Sequence, residues 1–257
     1  MLITTSRKPT PTMLQKAKRL SHEWNVPHLS REKRTIASMH HKATSVYMVG
    51  KNGKDVLYNK GHDDFFFHPS MATIRVQRLE KGGHDPFAKI TELKSGDSFL
   101  DLTLGLASDS IVASHLVGKD GIVYGVEKQH TVAELVKSGL NTWDNGSESL
   151  LDAMRRIQVI QHDHTEYLQT LPDQSFDVVY LDPMFERTID ESLSLNGLRA
   201  SASYDALRME TLDEARRVAR RHVILKAESS SSLWEKYSFK RLEKRPSRTS
   251  YGALRRS

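Results

Sequence analysis

The segment FLDLTLGLASD at residues 99–109 carries most of the information about the fold. It begins as an apolar run typical of a buried strand and turns into a helix-like stretch at Ser108 and Asp109. Two later segments have the same form, IVYGVE at residues 122–127 and FDVVYLDPMF at residues 176–185. Each predicts a strand with a polar or glycine turn at its carboxyl end. Because open parallel sheets bind ligands beyond these ends, the three segments predict one shared crevice.

Strand and helix patterns alternate through most of the chain after residue 97, which favours an α/β fold with a mostly parallel sheet. Two β-rich runs at residues 238–245 and 250–255 predict a C-terminal hairpin. We predict two domains, a small basic α/β domain at residues 1–64 and a larger one at residues 65–257. The predicted strands of the larger domain span residues 98–103, 122–126, 157–161, 176–181 and 222–226, and its longest predicted helix spans residues 204–219.

The predicted N-terminal domain contains element signals of its own. Helical spacing of apolar residues predicts a helix over residues 12–24 with a threonine cap. The dipeptide Asn52-Gly53 is a strong turn signal and predicts a hairpin between strands at residues 44–49 and 55–58. This part of the chain is therefore expected to fold as a separate mixed unit.

Charge is distributed unevenly along the 257 residues, which together carry a net charge of +6. Residues 1–60 hold 12 Lys/Arg and 3 Asp/Glu, residues 61–198 hold 11 and 22, and residues 199–257 hold 15 and 7. Basic ends around an acidic centre favour a polyanionic partner, because Lys and Arg release counterions from phosphates. We therefore predict RNA as a partner, with an ordinary solvated surface as the alternative.

The chain contains no cysteine, and no apolar run reaches the roughly 18 residues of a membrane helix. The first residues are basic and polar, without the apolar core of a secretory signal. We therefore predict a cytoplasmic protein with no membrane partner. The missing thiol also excludes disulfides, thiolate metal sites and methylation of a pyrimidine ring carbon through a cysteine nucleophile.

The first two strand ends carry residue types suited to a nucleoside. Glycine at position 105 allows the backbone to approach a ligand closely, and the following helix offers free N–H groups. Glu127 ends the second predicted strand and can accept hydrogen bonds from two ribose hydroxyls. Asp109 either reaches the ligand or only complements the helix N-terminus. The loop lacks the Gly-x-Gly-x-x-Gly pattern, which disfavours a dinucleotide pyrophosphate site.

The third strand is followed by His162, Asp163 and His164. A carboxylate at this position can accept a hydrogen bond from the exocyclic amine of adenine, and the adjacent side chain can cover the ring. Two histidines and an aspartate are also adequate metal ligands. No further spaced ligand accompanies them, so we predict no metal site.

The most specific motif is Asp182-Pro183-Met184-Phe185 at the end of the fourth strand. The exocyclic amines of bases are poor nucleophiles because the nitrogen lone pair is delocalised into the ring. A carboxylate and a backbone carbonyl that accept the two N–H groups would localise this lone pair and direct it at an electrophile. Pro183 fixes its own φ, and Phe185 offers a face on which a base can stack. The alternative is a structural turn with a buried phenylalanine.

Together the three segments and the hairpin resemble class I S-adenosylmethionine-dependent methyltransferases. Asp-Pro-Met-Phe with Leu-Gly-Leu-x-x-Asp resembles the RsmJ-type 16S ribosomal RNA guanine-N2 methyltransferases over roughly residues 97–200. Met184 replaces the commoner second proline, Ala107-Ser108 stands where the family usually has Gly-Arg, and the basic N-terminal segment does not obviously match. The resemblance implies S-adenosyl-L-methionine as cofactor, with contacts from Ser108, Asp109, Glu127, Lys128, Asp163, His164 and Asp182. Asp101, Thr103 and Gly105, at the end of the first predicted strand and in its loop, are further predicted cofactor contacts.

The resemblance also implies a Rossmann-like sheet, mostly parallel with a C-terminal antiparallel hairpin, beside the small N-terminal α/β unit. The predicted activity is methyl transfer to an exocyclic amine, first of all guanine N2 in ribosomal RNA, with Asp182, Pro183 and Phe185 as the catalytic residues. Two alternatives remain open: a NAD-dependent oxidoreductase, and a non-catalytic RNA-binding protein with a methyltransferase-like core. The sequence leaves the target nucleotide and the oligomeric state open.

Overall fold

The computed structural model describes residues 1–183, 207–242 and 248–255, and the chain divides into two compact units. The first unit contains residues 1–68 together with residues 134–144. The second contains the remaining described residues. The boundary predicted between residues 64 and 65 stays a proposal. Within the described ranges, no helix has both the length and the apolarity needed to cross a bilayer.

The first unit contains a four-stranded sheet in the order β1-β2-β3-β4. The first two strands pair in parallel, and the other neighbours are antiparallel. The predicted hairpin is confirmed, with both residues of its Asn52-Gly53 turn at positive φ. The elements are β1 (Leu2–Thr5), α1 (Pro11–Glu23), α2 (Ile36–Met39), β2 (Ser45–Val49), β3 (Val56–Asn59) and β4 (Phe65–Phe66).

A buried carboxylate joins α1 to this sheet. The side chain of Asp55 accepts hydrogen bonds from Lys16 Nζ at 2.7 Å, the Tyr47 hydroxyl at 2.9 Å and the Gly50 N–H at 2.9 Å. Lys16 also contacts Glu134 at 2.9 Å. Since a buried charge is costly unless it is paired, these contacts fix the helix on the sheet. Helix α1 begins at Pro11, one residue before its predicted start, because Thr10 serves as its N-cap.

The second unit contains the larger sheet and the helices that flank it. Helix α6 begins in this unit, and its later part belongs to the first unit. The elements are α3 (Ser70–Glu80), α4 (Pro86–Thr91), β5 (Ser98–Asp101), α5 (Ser108–Val117), β6 (Ile122–Glu127), α6 (His130–Thr142), α7 (Glu148–Arg156), β7 (Ile157–Gln161), α8 (His164–Thr170), β8 (Phe176–Leu181), α9 (Met209–Val218), β9 (Ala219–Glu228), α10 (Leu233–Lys236), β10 (Lys240–Arg241) and β11 (Thr249–Arg255).

The seven strands lie in the order β10-β11-β9-β8-β5-β6-β7. Strands β5 to β9 are parallel to one another, whereas β11 is antiparallel to β9 and β10 is antiparallel to β11. The chain leaves β5 towards β7 and then returns to the other side of β5 as β8. This reversal is a topological switch point, where ligands of open α/β sheets bind. The predicted Rossmann-like sheet with its C-terminal hairpin is confirmed.

The central strands β5 and β8 are mostly apolar and almost completely buried, as is typical of parallel strands with helices on both faces of the sheet. Phe99 in β5 and Val178 in β8 are fully buried. Phe87 of α4 contacts both Phe99 and Tyr180 edge-on, with ring centroids 5.7 Å and 5.4 Å apart. This aromatic cluster secures the strands whose carboxyl ends carry the candidate site.

Candidate active site

The loop between β5 and α5 turns sharply twice. Gly105 has φ +48° and Ala107 has φ +61°, both in the left-handed region. The N–H of Ala107 donates to the carbonyl of Leu104 at 2.7 Å, and the N–H of Leu104 donates to the carbonyl of Val126 at 3.0 Å. The loop is therefore held against β6, with the backbone of Gly105 facing the end of that strand.

Glycine is also required in β6 itself. A Cβ atom built on Gly125 would lie 2.3 Å from Cδ1 of Leu104, a distance at which one of the two must move. Leu104 is buried, so its side chain has little space to retreat. The missing side chain at position 125 thus allows the loop to lie on the strand.

Glu127 lies at the carboxyl end of β6, and backbone donors hold its side chain. Its carboxylate accepts the Gly105 N–H at 3.3 Å and the Gln129 N–H at 2.8 Å. Burial raises the pKa of Glu127, although the backbone donors oppose this effect. A carboxylate has about four acceptor positions, so capacity remains for ligand hydroxyls. This remaining acceptor capacity fits the ribose hydroxyls of the predicted cofactor.

Asp163 follows β7 and caps α8. One carboxylate oxygen accepts the N–H groups of Thr165 at 2.9 Å and Glu166 at 3.3 Å. The other lies 3.1 Å from Lys128 Nζ, which connects the second strand end to the third. Burial alone would raise the pKa of Asp163, but Lys128 and the capping N–H groups lower it. His164, partly buried, is the first residue of α8.

The competing metal interpretation of this segment gains no geometric support. The His162 ring nitrogen Nδ1 lies 3.1 Å from the backbone carbonyl of Asp163 and 3.8 Å from Glu166. In the parts of the chain that the structure describes, no group of three or more His, Asp or Glu side chains could hold a metal ion.

Asp101 is buried at the carboxyl end of β5. Its two carboxylate oxygens accept the Thr103 N–H at 2.9 Å and the Ser110 hydroxyl at 2.7 Å. Burial raises the pKa of Asp101 to about 7, and the nearby charges of Asp109 and Asp182 act in the same direction. The side chain joins the loop to the first turns of α5, while its contact with the cofactor stays a prediction.

Asp182 lies at the carboxyl end of β8, next to the loop after β5. Its N–H donates to the Thr103 hydroxyl oxygen at 2.7 Å, which fixes the backbone at this point. Its carboxylate accepts a hydrogen bond from Lys226 Nζ at 2.6 Å, and the side chain is 30% exposed. Pro183 is half-buried. The predicted base-stacking residue, Phe185, lies outside the described residues.

Asp109, in the first turn of α5, joins four side chains from other elements. One oxygen accepts from Arg75 at 2.6 Å and Tyr251 at 3.3 Å, and the other from Tyr180 at 2.7 Å and Lys226 at 3.0 Å. Burial alone would raise the pKa of Asp109, but the charges of Lys226 and Arg75 outweigh it and hold the pKa far below its usual value. This residue organises the interior of the site, and its direct contact with the cofactor stays a prediction.

The structure thus brings the sequence-predicted residues together in three neighbouring sets at the carboxyl ends of the strands. Asp101, Thr103, Asp109 and Asp182 form one set, Gly105 and Glu127 the second, and Lys128 and Asp163 the third. Ser108 begins α5 beside Asp109.

Sequence reasoning missed Arg75, Tyr180, Lys226 and Tyr251. Only Lys226 carried a usable signal, as a cation that ends the apolar run HVILK of β9.

The family model described as "Putative SAM-dependent methyltransferase" matches residues 20–248. The chain belongs to this family. S-adenosylmethionine is its cofactor, and the NAD-dependent alternative is set aside. The predicted methyltransferase class and cofactor are therefore confirmed, while the role of each site residue stays a proposal.

Three relatives illustrate which proteins this chain is similar to in sequence. A Bacillus subtilis protein named "Uncharacterized protein YpiP" is 40% identical over the whole of both chains. Enzymes named "Ribosomal RNA small subunit methyltransferase J" from Hydrogenovibrio crunogenus and Buchnera aphidicola are 26% and 30% identical over 56% and 51% of this chain. The matches span about half the length of these two enzymes, 53% in each case.

A solved structure shares the fold of the methyltransferase. The crystal structure of an S-adenosylmethionine-dependent methyltransferase from Neisseria gonorrhoeae has a TM-score of 0.61. The alignment covers 99% of this chain and 96% of that one at 16% identity. At this identity the likeness shows the fold alone.

Proposed function

We propose that this methyltransferase modifies an exocyclic amine of a nucleic-acid base, most specifically N2 of guanine in ribosomal RNA. One observation carries the proposal. The Asp182 carboxylate, in an Asp-Pro-Met-Phe sequence, lies at the switch point of the sheet and accepts a hydrogen bond from Lys226 Nζ at 2.6 Å. The two similar enzymes named for ribosomal RNA support the choice of substrate.

The residues at this point suit an amine. S-adenosylmethionine supplies a methyl group on a sulfonium centre, an electrophile that a nitrogen lone pair can attack. Asp182 accepts one N–H of the amine, and the carbonyl of Pro183 accepts the other, so that the lone pair is held in line. The nitrogen must lose a proton after transfer, and in this proposal the Asp182 carboxylate accepts it. Such alignment of two reactants is worth up to roughly 7–11 kcal/mol in favourable systems.

The cofactor contacts are proposals of the same kind. Glu127 binds the ribose hydroxyls because its carboxylate is fixed by backbone donors and retains acceptor capacity. Asp163 accepts the adenine amine, and His164 covers the ring. The further proposed contacts are Asp101, Thr103, Gly105, Ser108, Asp109, Lys128 and Asp182.

RNA is the proposed partner because of the charge on the first unit. Arg7, Lys8 and Lys54 are among its exposed cations, and residues 1–60 carry an excess of nine positive charges. Such surfaces bind phosphates by counterion release. A ribosomal RNA substrate would also place the protein in the cytoplasm.

The test is methyl transfer to RNA from a strain that lacks the gene. Purified protein is incubated with this RNA and S-adenosylmethionine that carries a tritiated methyl group. We expect label in the RNA with the wild-type protein and none with Asp182→Ala. Binding of RNA without transfer of label would favour the non-catalytic alternative.

A further inference from the structure

Lys226 follows the buried run of residues 222–225 in β9, and its side chain lies between two carboxylates. Its Nζ lies 2.6 Å from Oδ2 of Asp182 and 3.0 Å from Oδ2 of Asp109. The Lys226 side chain is 22% exposed, whereas that of Asp109 is 7% exposed. Lysine side chains are mostly exposed, and a partly buried one is usually paired, as Lys226 is here with two acids at the carboxyl end of the sheet.

The inner carboxylate is itself held in place. Arg75 donates to Oδ1 of Asp109 at 2.6 Å and makes two hydrogen bonds to Asp85, at 2.8 Å and 3.0 Å. Asp85 in turn caps α4 through the N–H groups of Phe87 and Ala88. A row of alternating charges therefore runs from this cap through Arg75, Asp109 and Lys226 to Asp182. Each member limits the movement of the next.

Two tyrosines complete the surroundings of Lys226. Tyr251 pairs with Lys226 across the β11–β9 ladder, and Tyr180 donates to Asp109 at 2.7 Å. Burial and the nearby carboxylates raise the pKa of both hydroxyls, which therefore stay neutral donors. Burial alone would lower the pKa of Lys226, but Asp109 and Asp182 outweigh it and raise the pKa, so the ammonium keeps its charge.

We propose that Lys226 is a positioning residue for methyl transfer: anchored on Asp109, its ammonium fixes the Asp182 carboxylate in the orientation that receives the target amine. Lys226 does not touch the reacting nitrogen. The inference rests on the proposed function only in its last step, the use of Asp182 by an amine.

The proposal has a consequence for the titration of Asp182. An opposite charge within 4–6 Å favours the carboxylate form, typically by about one to three pH units. Loss of the ammonium would remove the cation that lies 2.6 Å from the Asp182 carboxylate, so Asp182 would take up its proton at a higher pH. Among the described residues, the groups that face this pair include Asp101 of β5, Asp109 of α5, Arg75 of α3, Tyr180 of β8 and Tyr251 of β11.

The direct test is a ¹³C NMR titration of the side-chain carboxylates, which needs no substrate. The Asp182 signal is assigned by its loss in Asp182→Asn. In Lys226→Met we expect its midpoint to rise by about one pH unit or more. The matched control is Arg220→Met, which removes a cation 3.3 Å from Asp177 elsewhere on the same strand and should leave the Asp182 midpoint unchanged. An unchanged midpoint in Lys226→Met would overturn the proposal.

A kinetic measurement separates positioning from mere stability. We expect Lys226→Met to lower kcat for methyl transfer to RNA on the order of 100-fold with little change in KM, because the carboxylate is misplaced. The acidic limb of its pH–rate profile should move with the NMR midpoint, and Lys226→Arg should restore part of kcat. If Lys226→Arg lost as much activity as Lys226→Met, with no movement of the acidic limb, Lys226 would be structural only.

Lys226→Gln is measured in parallel, in case Lys226→Met does not fold. Its neutral amide removes the charge but can still donate a hydrogen bond to Asp109. Failure of the wild-type protein to methylate RNA would contradict the proposed function. The NMR titration would still decide whether Lys226 controls Asp182.

Discussion

Asp101 ends β5 and Asp109 lies in the first turn of the following helix, α5. Their surroundings nevertheless shift the pKa values of the two carboxylates in opposite directions. Asp101 has only neutral donors, and burial raises its pKa to about 7. Asp109 has Arg75 and Lys226 as partners, which lower its pKa. Residue type alone therefore does not determine the charge state at this site, and the neighbouring cations decide it.

Glu127→Gln should weaken binding of the demethylated product, S-adenosylhomocysteine, by about 10- to 100-fold. Hydrogen bonds to a charged acceptor contribute about 1.5–3 kcal/mol, and about 1.4 kcal/mol corresponds to a factor of ten. Wild-type affinity should also fall as the pH drops, because protonation removes acceptor positions. Isothermal titration calorimetry measures both effects, with the exposed Glu148→Gln as control. Equal affinities of wild type and Glu127→Gln would rule out the ribose role.

Asp101 should make stability depend on pH. Its pKa is about 7 in the folded protein against a usual value of 3.8, so the folded state binds a proton that the unfolded state has lost. Its contribution is therefore present at low pH and disappears as the pH rises from about 4 to 7. Urea unfolding should show wild type losing up to a few kcal/mol relative to Asp101→Asn across this window. A pH-independent difference, as expected for the exposed control Asp120→Asn, would contradict this assignment.

At the scale of elements, the contact between β6 and the loop after β5 gives the site its shape. Gly125→Ala should destabilise the protein by roughly 1–3 kcal/mol, because the new Cβ overlaps Leu104 Cδ1. It should also weaken S-adenosylhomocysteine binding. Movement of Leu104 would shift the adjacent Gly105, whose N–H donates to the proposed ribose ligand Glu127. Thermal unfolding and calorimetry measure the two effects.

The double variant Gly125→Ala/Leu104→Ala provides the control for this contact. Removing the leucine side chain makes room for the new methyl group, so the double variant should be less destabilised than the sum of the single variants. Strict additivity would show that the two residues do not constrain each other.

Strands β5 and β8 could be predicted from the sequence because they are largely buried and therefore mostly apolar. The edge strand β7 is less buried, and its sequence IQVIQ still shows the β-branched residues typical of a strand. The start of β9 at Ala219 could not be predicted from the sequence. Arg220 and Arg221 directly follow a helical pattern, and basic residues are typical of the C-terminal end of a helix. The parallel pairing of β1 with β2 was also missed, since helices α1 and α2 separate the two strands and no local signal encodes their partnership.

The candidate site also contains residues that the sequence predicts and residues that it does not. Glu127 and Asp182 were predictable because each stands at the end of an apolar strand. Lys226 and Arg75 reach Asp109 from distant parts of the chain, and only the strand order brings these side chains together. Such pairings depend on tertiary register, which residue spacing does not encode.

At the scale of the whole molecule, charge differs along the chain: residues 1–60 are strongly basic, whereas residues 61–198, which contain most of the candidate site, are acidic. Replacing Arg7 and Lys8 by glutamate should weaken RNA binding and reduce its salt dependence. The slope of log K against log salt should fall by about 0.7 for each phosphate of single-stranded RNA that is no longer neutralised. Binding of S-adenosylhomocysteine should not change. Filter binding across a salt series tests this expectation, with the exposed Lys119→Glu as control. An unaltered slope would exclude these cations from the RNA interface.

The position of the transferred methyl group tests the central claim most directly. RNA from a strain that lacks the gene is incubated with the protein and S-adenosylmethionine carrying a trideuterated methyl group, then digested to nucleosides for mass spectrometry. We predict label on an exocyclic nitrogen, first of all N2 of guanosine, and none with Asp182→Ala despite an intact fold. Label on a 2′-hydroxyl, a ring carbon or a protein side chain would contradict the role given to Asp182.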